Sequence, residues 1–418
     1  MMQTKALRLY GKMDLRLEAF ELPPIAEEEL LVKVVSDSLC MSSYKAATQG
    51  AAHKRVPDDV AQNPVMVGHE FCGEIIEVGA ALKGRYQPGQ KFAMQPAMRG
   101  IYWAAGYSFQ YCGGDTQYAI IPKCYIDQDC VLPYAGGAFF AGSMAEPLSC
   151  VIGASHANYH TELGDYNHRM GIRQGGKMAV LAGVGPMGLA LIDYTLHAER
   201  KPSLLVVTDI DAARLARAAQ VLSPEEAAKC GVQLIYLNTG AVADPVQALK
   251  DAAGGGFDDV FVFAPVAPVV EQADAILAQD GCLNFFAGPS DPAFSAKFNF
   301  YNVHYNATHI VGTSGGNTDD MREALDMAAE GRLNPAILIT HIGGLDAAAE
   351  ATLHLPSIPG GKKLIYPHVK LPLTAIADFE KLGATDPLFA ALGALVKENG
   401  GLWSEAAEAY LLANGERL

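Results

Sequence analysis

One stretch limits the architecture of this chain more than any other. The apolar run Met178-Ala179-Val180-Leu181-Ala182 leads at once into Gly183-Val184-Gly185-Pro186-Met187-Gly188 and then an apolar segment from Leu189 to His197. A short run that is apolar at every position reads as a strand buried on both faces, and such strands belong to parallel sheets covered by helices. The pattern repeats at Leu204 to Asp209, followed by a helical stretch from Ala212 to Val221. Further alternation comes at Gln233 to Tyr236, Val260 to Phe263, Val269 to Leu277 and Cys282 to Phe286. Strands alternating with helices predict an α/β, doubly wound parallel sheet.

The glycine spacing in the first turn carries chemistry only in that context. Gly183 permits the tight turn and Gly185 lets the backbone approach a pyrophosphate. Gly188 allows close helix packing, with Pro186 and Met187 in the first helical turn. A glycine turn without a strand before it and a helix after it would mean little. Asp209, closing the next strand, can accept both ribose hydroxyls of NAD and repels the 2′-phosphate of NADP. NAD(H) is therefore expected over NADP(H). Arg214 and Arg217, one or two helical turns on, either face solvent or soften that repulsion and leave NADP(H) open.

The first part of the chain reads differently. Lys5 to Leu9, Leu15 to Leu17 and Leu30 to Val35 alternate in strand fashion, and Cys40 follows the third of them in Leu39-Cys40-Met41-Ser42-Ser43. Gly68-His69-Glu70-Phe71-Cys72-Gly73 enters another strand, and Glu146 opens a helix in Ala145-Glu146-Pro147-Leu148-Ser149. Taken singly these are a strand-edge histidine, a buried apolar thiol and a favourable charge at a helix start. Together, Cys40, His69, Glu70 and Glu146 supply the three or four N, S and O ligands of an open catalytic zinc site. Either glutamate can bind directly or through water. Residues 95–115 contain a single cysteine, Cys112, among Tyr102, Trp103, Tyr107, Phe109 and Tyr111. One thiol cannot hold a structural zinc, so one metal per chain is expected, with the aromatic residues packing that lobe or lining the mouth of the cleft.

Cys40-x-Ser42, Gly68-His69-Glu70-x-x-Gly73 with Gly79 beyond, and Glu146-Pro147-Leu148-Ser149 resemble the zinc-containing medium-chain dehydrogenases, the sorbitol dehydrogenase branch in particular. The resemblance runs from about Lys5 to Val369. It implies a GroES-like β-rich catalytic domain (residues 1–152 and 313–370), a Rossmann domain (153–312) and, beyond the usual family end, a helical C-terminal extension (371–418). It gives Ser42 the role of passing the alcohol proton toward solvent and Lys45 that of an outer relay group, and it makes Glu70 and Glu146 catalytic carboxylates at the metal. Ser43 departs from the family, which usually carries Asp there, and that puts ligand orientation through this residue in question. The glycine-rich run after Gly312 places Thr313 and Ser314 with the cofactor.

The implied reaction moves hydride between a nicotinamide cofactor and a sugar phosphate. One rival is a dehydrogenase of an unphosphorylated polyol or secondary alcohol. Another, of a different class, is a nucleotide-binding protein that has lost the chemistry. A phosphate would be held by Lys45, Lys54 and Arg55, the last two in the basic triplet His53-Lys54-Arg55, or by the backbone of Gly315-Gly316-Asn317. A homo-oligomer, dimer or tetramer, is expected by the same resemblance. Residues 159–176 form an insertion rich in His, Tyr, Asn and Gly to which the sequence assigns no role.

Bulk properties narrow the alternatives. A length of 418 residues implies two or three domains. A formal net charge of -15 with no long Lys/Arg run leaves no basic face for nucleic acid. Eight cysteines without a CxxC pair, and no leader-like N-terminus, fit reduced thiols in a cytoplasm. The longest apolar run, Met178 to Ile192, is too short and glycine-rich to span a membrane.

Overall fold

Strand Leu30–Ser38 is the hub of the first structural unit, which comprises the chain up to Glu146 together with Asn317–Gly331 and Pro335–Leu418. The computed structural model describes residues 2–418. Leu30, Val32 and Val34 alternate into a core with Phe71, Ile75 and Phe92, which is why this segment takes the period-two form of a strand. Three strands pair with it antiparallel: Cys72–Val78, Tyr118–Ile121 and Lys362–Tyr366. Their registers set the position of three polar side chains. Ser36 lies opposite Cys72, and Ser38 opposite Leu364. Cys40, Glu70 and Lys362, each two residues from one of these paired positions, are thereby gathered at the same end of the sheet.

A three-stranded sheet of Gln3–Gly11, Asp14–Glu21 and Val65–Met66 adjoins it. A second core under this sheet includes Leu7, Leu9, Tyr107 and Ile365. The segment after Cys40 is a helix, Met41–Gln49, followed by a short 3-10 turn and loop up to Val65. The C-terminal segment forms two main helices, Pro387–Glu398 and Glu405–Asn414, and belongs to this unit. Phe389, Leu392, Trp403, Ala407 and Leu411 are buried and Leu395 and Tyr410 half-buried, so each helix packs one apolar face.

The second unit comprises Pro147–Gly316 and Arg332–Asn334. Its main sheet has six strands, all parallel, in the spatial order Gln233–Asn238, Leu204–Asp209, Lys177–Leu181, Phe257–Val262, Leu277–Phe285 and His309–Val311. The chain order reverses between Lys177–Leu181 and Phe257–Val262, and the carboxyl ends of strands at such a switch point are where sheets of this kind bind ligands. The insertion forms an antiparallel hairpin, Tyr159–Glu162 with Asp165–Met170. No helix among the described residues is long and apolar enough to cross a membrane.

Candidate active site

Donor atoms of Cys40, His69 and Glu70 lie within 4.8 Å of one another. Local structure explains the convergence. Gly68 has φ +87°, and a Cβ there would stand 2.0 Å from an Asp37 carboxylate oxygen, so only glycine lets the chain turn here and deliver His69 to the end of the hub strand. The imidazole is held on one side by Ser43, whose Oγ is 3.3 Å from Nδ1. The position where a carboxylate was expected is thus filled by a hydroxyl that still fixes the ring. Nε2 faces the Ser42 Oγ at 3.5 Å and the Tyr107 hydroxyl at 3.3 Å. Ser42 Oγ is also 2.9 Å from Cys40 Sγ. Burial pushes the His69 pKa down against the opposing pull of Glu146 and Glu70, which keeps the ring neutral with a lone pair to offer. Burial, reinforced by Glu70, pushes the Cys40 thiol up.

Glu70 is not a free carboxylate. It forms a buried ion pair with Lys362, and Ser38 Oγ donates to its second oxygen. Burial alone would lower the Lys362 pKa; Glu70 and Cys40 outweigh it and hold the ammonium charged. The Glu70 backbone N–H donates to Asp37 Oδ1 at 2.9 Å, as does that of Ser38 at 2.8 Å. Behind them Asp37 Oδ2 and both oxygens of Asp115 are buried without a hydrogen-bond partner. Burial, then repulsion by Asp115 and Glu70, pushes Asp37 well above the carboxylate range. Burial first pushes Asp115 up to about 7. Glu146 opens the helix Ala145–Ala157 and is buried against the same group; burial, then Glu70, push it up to about 7.

The donor set fits zinc, and the charge count points the same way. A Cys40 thiolate, Glu70 and Glu146 carry three negative charges, and Lys362 brings one positive charge. A dication leaves the desolvated cluster neutral, whereas without one burial and like charge drive the Glu146 carboxyl and the Cys40 thiol up. A thiol, an imidazole and a carboxylate together form a typical set of ligands for zinc.

Lys45, on the helix Met41–Gln49, is three residues from Ser42 and so lies on the same helix face. Of the basic triplet, Lys54 is exposed, while Arg55 is drawn in. The Arg55 guanidinium lies over the Tyr107 ring, 5.3 Å from its centroid, and its Nε is buried with no partner. Gly315-Gly316-Asn317 fares worse as an anion turn. The Asn317 side chain accepts from the N–H groups of Asp319 and Asp320, and Asp320 accepts from Asn317 N, so the helix start is already capped by its own residues.

In the second unit the glycine loop sits between strand Lys177–Leu181 and helix Pro186–His197. A Cβ on Gly188 would stand 2.1 Å from the Gly183 carbonyl oxygen, whereas one on Gly185 would meet nothing within 4 Å. The third glycine serves packing and the second leaves backbone open to a ligand. Met187 and Pro186 form the first turn of that helix, as expected. Asp209 is buried, its Oδ1 accepting from Ile210 N at 2.8 Å and Asp211 N at 3.0 Å. Arg214 is exposed, and Arg217 is half-buried, which lowers its pKa. Thr313 Oγ1 is buried without a partner beyond the edge strand His309–Val311; Ser314 is exposed.

A second group, His160, Asp280 and His309, also comes together in this unit. Arg173 already supplies its positive charge, with Nη2 2.6 Å from Asp280 Oδ2. Three residues at the first centre escaped sequence reading. Lys362 sits 292 positions from Glu70. Asp115 and Tyr107 fall in the segment 95–115, where the sequence drew attention only to its aromatic residues and its single cysteine. The aromatic lobe is split: Tyr107 is buried and Phe109 packs on the core, but Tyr102 and Trp103 are exposed.

Comparison with known proteins agrees with this geometry. The alcohol dehydrogenase GroES-like domain matches residues 26–146, and the zinc-binding dehydrogenase family matches residues 186–330. The chain is 53% identical to a mannitol-1-phosphate 5-dehydrogenase of Aliivibrio fischeri, over 99% of this chain and 98% of that protein. It is 50% identical to an L-sorbose 1-phosphate reductase of Klebsiella pneumoniae, over 100% of this chain and 99% of that protein. The solved structure of 2R,3R-butanediol dehydrogenase from Bacillus subtilis superimposes with a TM-score of 0.71 at 21% identity, covering 87% of this chain and 99% of that one. The chain belongs to the zinc-dependent medium-chain alcohol and polyol dehydrogenases.

Proposed function

We propose that this protein is a zinc- and NAD(H)-dependent reductase of a ketose phosphate, interconverting L-sorbose 1-phosphate and D-glucitol 6-phosphate. The observation that carries the reading is the buried Cys40–His69–Glu70 cluster, with Lys362 paired to Glu70 and Glu146 buried near enough to feel all three charges, in a chain half identical to two sugar-phosphate enzymes. Cys40, His69 and one of the two glutamates hold the metal. Glu70 is the carboxylate whose oxygen lies with the Cys40 and His69 donors, but it is engaged by Lys362 and Ser38, so we assign direct ligation to Glu146 and the support of Lys362 to Glu70. When bound, zinc polarises the substrate carbonyl and the reduced nicotinamide supplies hydride. Ser42 is placed to give a proton to the carbonyl oxygen, and Lys45, one helical turn on, to restore it from solvent. Ser43 keeps the His69 ring oriented, and Tyr107 closes its far side. The Gly183–Gly188 turn binds the pyrophosphate, and Asp209 takes the ribose hydroxyls, which favours NAD(H).

The residues up to Glu146 and those returning after Asn317 form the GroES-like catalytic domain, and the parallel sheet is the dinucleotide domain. A homo-oligomer is part of the same reading. Phe300, Tyr301 and Tyr305 are 75%, 64% and 65% exposed just before the edge strand His309–Val311 and offer apolar surface for such a contact. Eight free cysteines suit a reducing cytoplasm.

Arg55 favours one sugar phosphate over the other. In L-sorbose 1-phosphate the carbonyl carbon is next to the carbon that bears the phosphate. In mannitol 1-phosphate, carbon 5 is four carbons away from it. We read the guanidinium over Tyr107, whose hydroxyl is 3.3 Å from His69 Nε2, as the group that takes a phosphate on the carbon next to the reacting one. A charge-assisted contact of this kind contributes roughly 1.5–3 kcal/mol, tenfold or more in specificity. Turnover of L-sorbose 1-phosphate, fructose 6-phosphate and plain L-sorbose with NADH and NADPH tests the reading. The expected ranking puts L-sorbose 1-phosphate first, and Arg55→Ala raises its KM while leaving plain sorbose unchanged. Equal kcat/KM for the phosphorylated and plain ketoses overturns the phosphate assignment.

A further inference from the structure

The two C-terminal helices lie outside both family matches, which end at residues 146 and 330, yet one of their side chains reaches toward the metal centre. Glu408, on the helix Glu405–Asn414, is 2% exposed. Its carboxylate accepts from the backbone N–H groups of Phe139 at 2.6 Å and Phe140 at 2.8 Å, and from the Tyr366 hydroxyl at 2.9 Å. Trp403 Nε1 donates to the same Tyr366 oxygen at 2.8 Å, so that hydroxyl is fixed as donor to Glu408.

Both recipients lead to the centre. Phe139–Ser143 is a one-turn helix whose N-cap, Ala138, has no side chain able to cap it; Glu408 does so instead. The far end of that helix runs directly into Ala145 and Glu146. The same short helix is wedged on the hub of the sheet. Ser143 Oγ is 2.8 Å from Ser36 Oγ, and a Cβ on Gly142 would stand 2.4 Å from the sulfur of Cys72. Tyr366 closes the strand Lys362–Tyr366, whose first residue holds Glu70. One buried carboxylate from the C-terminal extension thus ties the segment that delivers Glu146 to the strand whose Lys362 pairs with Glu70.

We propose that Glu408 is a positioning residue for the metal centre: by capping the helix Phe139–Ser143 and bonding Tyr366, it fixes where Glu146 stands relative to Cys40 and His69. The inference rests on Glu146 serving the metal, as proposed above. It makes the C-terminal extension part of the catalytic apparatus, where a covering of an exposed edge would act on stability alone.

The test uses the full-length protein with cobalt in place of zinc, since the visible absorption of cobalt reports ligand geometry without turnover. Glu408→Ala is expected to shift that spectrum, to weaken zinc in a chelator competition by about 10–100-fold, the usual cost of losing an outer support of a metal ligand, and to lower kcat with the KM for NADH unchanged. Glu408→Gln keeps the volume and one acceptor oxygen and is expected to give the same changes, smaller; it decides alone if the alanine variant does not fold. Glu146→Ala separates the two layers of the inference. If it leaves the cobalt spectrum and zinc affinity as in the wild type, Glu146 does not serve the metal and the underlying reading fails. If Glu146→Ala alters them while the folded Glu408 variants match the wild type, the positioning role is overturned and Glu408 only anchors the extension.

Discussion

Replacing Lys362 by methionine isolates the electrostatic logic of the centre. The side chains of Lys362 and Glu70 are 7% and 1% exposed, so the substitution leaves a carboxylate desolvated with no countercharge beside it. Breaking a buried pair in this way costs about 3–5 kcal/mol, a large share of the roughly 5–15 kcal/mol that holds a domain folded. At a urea dependence of about 1–3 kcal/mol/M, that is a fall of roughly 1–5 M in the midpoint. Fluorescence is already specific to the right unit, because the two tryptophans, Trp103 and Trp403, both lie in it. Metal-free Lys362→Met followed by tryptophan fluorescence should show the full loss. Zinc should recover part of it, since a dication supplies the missing positive charge. Glu70→Gln combined with Lys362→Met should recover most of it, since it removes the stranded charge. A metal-free loss under about 1 kcal/mol, or a double variant no more stable than Lys362→Met, would refute the claim that Glu70 is held as an ion pair and not as a free ligand.

Glu146 is pushed up to about 7 by burial and Glu70 in the metal-free protein. Between its ordinary range near 4.5 and about 7 the folded state binds more protons than the unfolded one, so metal-free stability should fall as pH rises through that window. Zinc affinity should rise over the same window, because the metal needs the ionised carboxylate; a pH-independent zinc dissociation constant from about pH 5 to 7 in chelator titrations contradicts this. Asp209→Ser should relax the cofactor preference toward NADPH, measured as the ratio of kcat/KM values. A wild type that already prefers NADPH would mean that Arg214 or Arg217 compensates for the carboxylate.

What could be read from the sequence was local. The strand, glycine turn and helix around Gly183, with Asp209 at the end of the next strand, form within one βαβ unit, and spacing alone announces them. His69 and Glu70 are adjacent and flanked by Gly68 and Gly73, whose need is now visible as a positive φ and a close approach of strands. What could not be read was long-range. Lys362 meets Glu70 because Lys362–Tyr366 and Cys72–Val78 flank the same strand in antiparallel register, and nothing near residue 362 signals it. Tyr107 sits in an aromatic lobe where every ring looks like packing; only its approach to His69 sets it apart. Glu408 reads as a helix-face glutamate, its burial decided by the way the extension packs. The hairpin at 159–170 gave no periodic signal because its second strand, Asp165–Met170, is mostly exposed on both faces.

The most direct test of the central claim is metal stoichiometry joined to turnover. Purified protein is stripped with a chelator, then titrated with zinc while NADH oxidation by L-sorbose 1-phosphate is followed. The account predicts no turnover without metal, full recovery at one zinc per chain, NADH binding unaffected throughout, and no recovery in Cys40→Ala. Turnover by the stripped protein, or recovery in Cys40→Ala equal to the wild type, would contradict it.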